Sequence, residues 1–474
     1  MNNNKIWNIN IVFYGILFYA VTIILAYAFL PKAIIGFEWI LFQFLIIIFF
    51  FIGIYLFQNL QFKITERSFI NRIFFFSIVI KSITVFINYY VFILYNGEPF
   101  NVISDPVEYH EEAQLLASFF KQGNFDFLTI IPREDISDMG GVIYYALTSM
   151  FTSSSIFNII IGRLFNVLFA SITLVLFYKT LKIFTAINIA RISTIIFLFF
   201  PIFTLYSGTH LKETILIFII INAIYLSHKI ITLKKYNILN IFYLTFLIIS
   251  IFFFRTTLAY VFLLSILAYI GVNMAKIFNL SFILLLVTFT IAFTLAYQSL
   301  IKDDTEMFLD KSDNYSEIVV TSNENRRGVK SGIGKYFTTP FMLVASIPAP
   351  IPTLIKNEHE RSDAQFGNNA LLSTSILKIF ISFWTIIGLF FLIKKDFKKN
   401  SFSIIFFLSY TLLLAVSGLS FKIRYVLPII PFYFYFAANG LVYLKKYKIG
   451  FVLFLTLLTV VITYYNISKL SASF

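Results

Sequence analysis

The chain of 474 residues is 59% hydrophobic and only 13% charged, with 62 Phe, more apolar surface than a water-soluble domain can bury. The formal charge of +14 does not point to nucleic acid, because Lys and Arg are spread over short loops and form no continuous basic face. The absence of Cys excludes a disulfide framework, a thiolate metal site and a cysteine nucleophile.

Stretches of about 20 mostly apolar residues are what a hydrocarbon layer about 30 Å thick demands of spanning helices. They fall near residues 10–30, 36–58, 73–95, 156–178, 188–206, 213–229, 238–254, 257–275, 279–298, 370–393, 402–419, 425–443 and 449–466. The expected fold is therefore an all-α polytopic membrane protein of about thirteen transmembrane helices. The first stretch is too long for a signal-peptide core and has no small-residue cleavage site after it, so it reads as a retained span. Four divisions follow: an N-terminal hairpin (1–70), a membrane module (71–300) with a large loop at 96–155, a loop and Pro-rich segment (301–369), and C-terminal helices (370–474).

Threading the spans alternately collects Lys63, Arg67, Arg72, Lys179, Lys182, Lys229, Lys234, Lys235, Lys276, Lys394, Lys395, Lys398, Lys399, Lys445, Lys446 and Lys448 on one side. The positive-inside rule makes that side the cytoplasm, with the N-terminus on it. The two long polar segments, 96–155 and 302–338, go to the opposite face. Residues 339–355 (TPFMLVASIPAPIPTLI) are apolar, yet Pro340, Pro348, Pro350 and Pro352 remove backbone donors and break regular helix. Such a segment is expected to be re-entrant or interfacial and to wall a cavity, since irregular backbone at membrane depth needs protein or water around it.

The loop at 96–155 is strongly acidic, with Glu98, Asp105, Glu108, Glu111, Glu112, Asp126, Glu134, Asp135 and Asp138. Within it Asp105 reads as an N-cap, Pro106 as the first helical residue and Glu108 as a capping-box partner. Tyr109, Ala113, Leu116 and Phe120 follow at helical spacing, predicting a short amphipathic helix on the membrane surface. The later loop mixes Asp303, Asp304, Glu306 and Asp310 with Arg326, Arg327 and Lys330 among Gly328, Gly332 and Gly334, the composition of a solvated loop or a lid. Lys81 falls in mid-span with no partner evident from the sequence.

The pattern Asp105, Glu108, Tyr109, Ala113 and Gly123, in the first large outer loop and ahead of a run of membrane helices, resembles the catalytic loop of the GT-C superfamily. Arg163 in GRLFN, residues 201–213 (PIFTLYSGTHLKE) and Arg424 in KIRYVLPIIPFYFYFAANGL are similar in style, so the resemblance covers roughly residues 70–445. These are polyprenyl-phosphate-sugar-dependent glycosyltransferases, including protein mannosyltransferase and aminoarabinose transferase branches. This chain departs from them in placing the loop after the third span rather than the first. Asp105 and Glu108 are also three apart rather than adjacent, which leaves open which carboxylate acts.

The resemblance implies an enzyme that moves a sugar from a polyprenyl-phosphate or diphosphate lipid to a hydroxyl of a glycan, lipid or protein acceptor. The site would face outward from a bacterial inner membrane. Such transfer needs a carboxylate to orient and deprotonate the acceptor, and cations for the departing phosphate. The catalytic candidates are Asp105, Glu108 and His110; the phosphate-binding candidates are Arg163, His210, Lys212, Arg255 and Arg424. Simpler roles fit the same residues: helix capping for Asp105 and Glu108, a surface position for His110, and snorkelling or pairing with Glu213 for Lys212. No metal ligand is assigned, and a divalent metal, Mg or Mn, is the one candidate cofactor. No nucleotide-binding loop is evident, which favours a lipid donor. A repeat-unit polymerase or O-antigen ligase is the nearest alternative. A lipid-linked saccharide flippase is the alternative without bond chemistry, though it would more typically place ionisable groups inside its spans.

Overall fold

The computed structural model describes residues 6–30, 35–61, 64–100, 105–131, 138–152, 155–233, 237–274, 343–355, 362–416 and 423–471. The predicted span at 279–298 and the loop at 302–335 lie outside the described residues, as do Lys63, Glu134, Asp135, Lys234, Lys235 and Lys276. The described chain is helical throughout. In order come α1 (Ile9–Phe29), α2 (Phe37–Gln61), α3 (Glu66–Asn96), α4 (Asp105–Lys121), α5 (Phe127–Ile130), α6 (Met139–Ser149), α7 (Ser155–Phe184) and α8 (Ile187–Phe199). They are followed by α9 (Pro201–Ser207), α10 (Glu213–Ile231), α11 (Ile238–Phe254), α12 (Thr256–Met274), α13 (Ser362–Val416), α14 (Ile423–Val426), a 3-10 turn (Leu427–Ile429), α15 (Ile430–Leu441) and α16 (Leu444–Ser471).

Among the described residues eight helices are long and apolar enough to cross a membrane, or nine if α8 and α9, bent by 58°, form one broken span. Pro201 at the start of α9 causes the break, because it cannot donate into the preceding helix. The 55 residues of α13 would measure about 80 Å if straight, far beyond a bilayer's thickness. The backbone leaves the helical region at Asp396 (φ −136°, ψ 32°), so α13 is two helices joined at a kink. At the far end of α3, Gly97 adopts a left-handed φ of 76° and donates back to the Ile93 carbonyl, stopping the helix before the acidic loop.

Contacts between helix ends sort them into two sets. At one end Lys182 pairs with Glu66, Arg191 donates to the Gln61 and Ile64 carbonyls at 2.8 and 2.9 Å, and Asn273 donates to the Lys398 carbonyl at 3.3 Å. Lys395 reaches the Tyr443 hydroxyl at 3.3 Å, and Lys448 lies over the Tyr14 ring. The other end holds the start of α4, the entries to α6, α7 and α10, and α14.

The core between the ends is packed closely enough to exclude side chains in places. α13 and α15 meet at Gly388 and Gly440: a Cβ on Gly388 would strike the Phe436 carbonyl, and one on Gly440 the Trp384 carbonyl. Small residues of this kind let helix backbones approach within a bilayer. Lys81 does find a partner: its ammonium donates to Thr204 Oγ1 at 3.2 Å and lies 4.6 Å from the centre of the Phe203 ring. Among the described residues of the Pro-rich segment, 343–346 alone are helical. Its polar backbone is satisfied from outside: Leu354 N–H donates to Asn466 Oδ1 at 2.7 Å, Asn466 donates to the Pro352 carbonyl at 3.1 Å, and Lys378 donates to the Ser346 carbonyl at 3.3 Å. With Lys378, Thr411 and Tyr433, Ser346 and Ile347 of this segment line a small pocket.

Candidate functional site

The site begins with α4. Its stripe of Tyr109, Ala113, Leu116 and Phe120 is buried, as the spacing predicts, but it packs against α6 and therefore does not rest on lipid. That corrects the expectation of a surface-lying helix: α6 is itself apolar and covers the stripe first. The same packing buries His110, which is 8% exposed and no surface residue, while Glu108 is exposed. Asp105 is the first residue of the helix rather than a cap ahead of it.

Four cations and three carboxylates meet here from distant parts of the chain. Arg424 Nη1 donates to Asp105 Oδ2 at 2.5 Å, and its Nε donates to Glu213 Oε1. Arg255 Nη2 donates to the same Glu213 oxygen at 3.3 Å, and its guanidinium lies 4.8 Å from the centre of the Tyr425 ring. Lys212 pairs with Asp138, one residue before α6. Glu213 is 1% exposed whereas the Asp105 side chain is 40% exposed, so the chain of pairs runs from a buried hub to an open carboxylate. Burial opposes ionisation of Asp105, but the Arg424 charge and hydrogen bond, helped by Lys212, hold it below the usual carboxylate range. Burial likewise opposes the charge on Arg424, and Glu213 and Asp105 more than offset it, leaving Arg424 above its ordinary value.

Arg163 stands apart from these pairs. Fully buried on α7, it donates through Nη2 to the Pro99 carbonyl, while Nε and Nη1 have no hydrogen-bond partner among the described residues. His110 and His210 face each other nearby with ring centres 5.3 Å apart, both flanked by Phe100. His110 Nε2 meets the Gln114 amide at 2.8 Å; His110 Nδ1 and both nitrogens of His210 lack partners. Tyr145 stacks on His210 at 3.6 Å, donates to the Leu211 carbonyl at 2.9 Å and accepts from Asn166 at 2.9 Å, fixing the short turn before α10. Burial and then the Arg163 charge push His110 down to about 4. Burial, His110 and Arg163 push His210 well below its usual value, so both rings are neutral near pH 7.

All five residues assigned to phosphate lie at this end of the bundle, with Asp105 and His110 among them, and Glu108 is exposed on the same helix as Asp105. Lys212 makes its close ion pair with Asp138, and the Glu213 carboxylate takes Arg255 and Arg424, because successive residues at a helix start diverge. Glu213 is the residue that sequence reasoning passed over, and its signal was a carboxylate opening an apolar span. Tyr145 and Asn166 carried no comparable signal. No family model matches the chain. No curated protein matches it either.

Among the described residues no three His, Asp or Glu are arranged to hold a metal ion, and Asp105, Asp138 and Glu213 are each engaged by a Lys or Arg.

Proposed function

We propose that this protein is a membrane glycosyltransferase that moves a sugar from a polyprenyl-phosphate-type lipid to an acceptor hydroxyl. The observation that carries the reading is the half-open Asp105 carboxylate, tied through Arg424 to Glu213 and Arg255 at the bundle end away from the Lys-rich contacts. Charges gathered at the end of apolar helices are costly to bury and usually functional. A carboxylate beside a cluster of cations is what transfer from a phosphosugar requires.

In this reading the acceptor hydroxyl hydrogen-bonds to Asp105 and attacks the anomeric carbon. The new C–O bond forms as the bond to the phosphate oxygen breaks, its electron pair leaving with the phosphate and the hydroxyl proton passing to Asp105. Asp105 is held ionised by Arg424 and is a weak base, so it orients the hydroxyl first and takes the proton late, when bond formation has made the hydroxyl acidic. Arg163 supplies positive charge to the leaving phosphate, and Lys212, Arg255 and Arg424, each paired with a carboxylate, add to the positive field around it. A single displacement inverts the anomeric centre.

The topology that goes with this has thirteen crossings, counting 187–207 as one, α13 as two and 279–298 as one. The Lys-rich ends and N-terminus lie in the cytoplasm of a bacterial inner membrane, and the site faces outward. The test is transfer of a radiolabelled sugar from a panel of polyprenyl-phosphate donors by the purified protein in lipid, comparing wild type with Asp105→Asn. Transfer by wild type, with an Asp105→Asn variant that binds donor and does not turn over, is the expected result. Equal transfer by both reduces Asp105 to a structural residue. Movement of lipid-linked sugar between leaflets without any transfer replaces the enzyme reading with the flippase.

A further inference from the structure

The cations of the site differ in what neutralises them. Lys212, Arg255 and Arg424 each face a carboxylate of the chain, whereas among the described residues Arg163 has only the neutral Pro99 carbonyl. Arg163 is 0% exposed and His210 1% exposed, so neither is solvated from outside. A guanidinium does not deprotonate in proteins, and a buried charge without an opposite charge is strongly unfavourable. Five buried nitrogens without hydrogen-bond partners among the described residues meet here: Arg163 Nε and Nη1, His210 Nδ1 and Nε2, and His110 Nδ1. The two rings lie 5.3 Å apart, and His210 also abuts Gly162, where a Cβ would come 3.3 Å from its ring. Water would satisfy the donors but leave the charge.

We infer that Arg163, His110 and His210 form a distinct oxyanion subsite that takes the phosphoryl group of the ligand, with Lys212, Arg255 and Arg424 holding carboxylates in position beside it. The inference rests on the lipid-donor reading for where the phosphoryl group comes from, and on the charge imbalance alone for where it binds. Arg163 contributes fixed charge and two donors, and each neutral imidazole contributes one N–H. Gly162 leaves the space His210 needs to reach this position, and the Tyr145 stack keeps the ring there.

The experiment measures binding of farnesyl phosphate, farnesol and inorganic phosphate to the full chain in nanodiscs. Wild type is compared with Arg163→Gln, Arg163→Lys and Lys212→Gln. Wild type is expected to prefer farnesyl phosphate over farnesol. Arg163→Gln should weaken the phosphate by roughly tenfold or more, the loss of one charge-assisted contact. Arg163→Lys should recover part of the loss, and Lys212→Gln should weaken binding less than Arg163→Gln. A larger loss at Lys212→Gln, or none at Arg163→Gln, overturns the subsite and leaves the transferase reading standing. Binding of inorganic phosphate but not farnesyl phosphate, lost in Arg163→Gln, supports the subsite and removes the lipid donor. If Arg163→Gln does not fold, His210→Leu makes the same comparison, and unchanged affinity there overturns the inference.

Discussion

Removing the charge of Glu213 should destabilise the protein more than any other single change at the site. Glu213→Gln keeps the shape and one carbonyl acceptor, so the perturbation is almost purely electrostatic. Arg424 retains Asp105, but Arg255 faces no other carboxylate among the described residues. Breaking a buried pair by removing one partner costs about 3–5 kcal/mol. The Tyr425 ring, 4.8 Å from the Arg255 guanidinium, still offers a cation–π contact worth about 1 kcal/mol, which favours the lower end near 3 kcal/mol. Set against a total stability of about 5–15 kcal/mol, that is a large fraction. Thermal unfolding of the purified protein in detergent reads it as a fall in Tm of several degrees. Glu213→Gln combined with Arg255→Met should regain much of the loss, because no unpaired charge then stays buried. A Glu213→Gln variant as stable as wild type, or a double variant less stable than the single, would refute the hub.

His110 should make stability depend on pH over a defined window. Its folded value of about 4 lies below the unfolded value of 6.5, so the unfolded chain binds the extra proton and stability falls as pH drops from 6.5 to 4, by at most about 3 kcal/mol. Unfolding midpoints across that range should show the slope in wild type and a shallower one in His110→Gln; equal slopes would remove His110 as its source. At the α13–α15 contact, Gly440→Leu should lower the unfolding midpoint by about 1–3 kcal/mol or more, since the added side chain meets the Trp384 carbonyl rather than a movable side chain. A Gly440→Leu protein with unchanged Tm would show that these helices separate at no cost.

Hydrophobic length is a property of the chain read in one dimension, which is why helices were legible at every predicted span among the described residues, and Pro348, Pro350 and Pro352 signalled where helix fails, whereas the break at Pro201 fell inside a span read as continuous. The amphipathic stripe of α4 was legible for the same reason, but not what covers it. Periodicity says that Tyr109 and Leu116 must leave water; it does not say whether lipid or α6 receives them.

The candidate site divides along the same line. Residue type and position marked Asp105, Arg163, Lys212, Arg255 and Arg424, because a charge at the end of an apolar span is conspicuous. Their partners were decided only by the tertiary structure. Arg424 meets Asp105 across 319 positions and Glu213 across 211, and packing of helices chooses such pairs. Adjacency in sequence suggested Lys212 with Glu213, yet the two side chains diverge from the start of α10 into different surroundings. The sequence by itself determined a helical membrane protein with charges at its helix ends. Only the fold decided which charges neutralise one another and which, at Arg163, does not meet a carboxylate, because charge balance is set by distances in space.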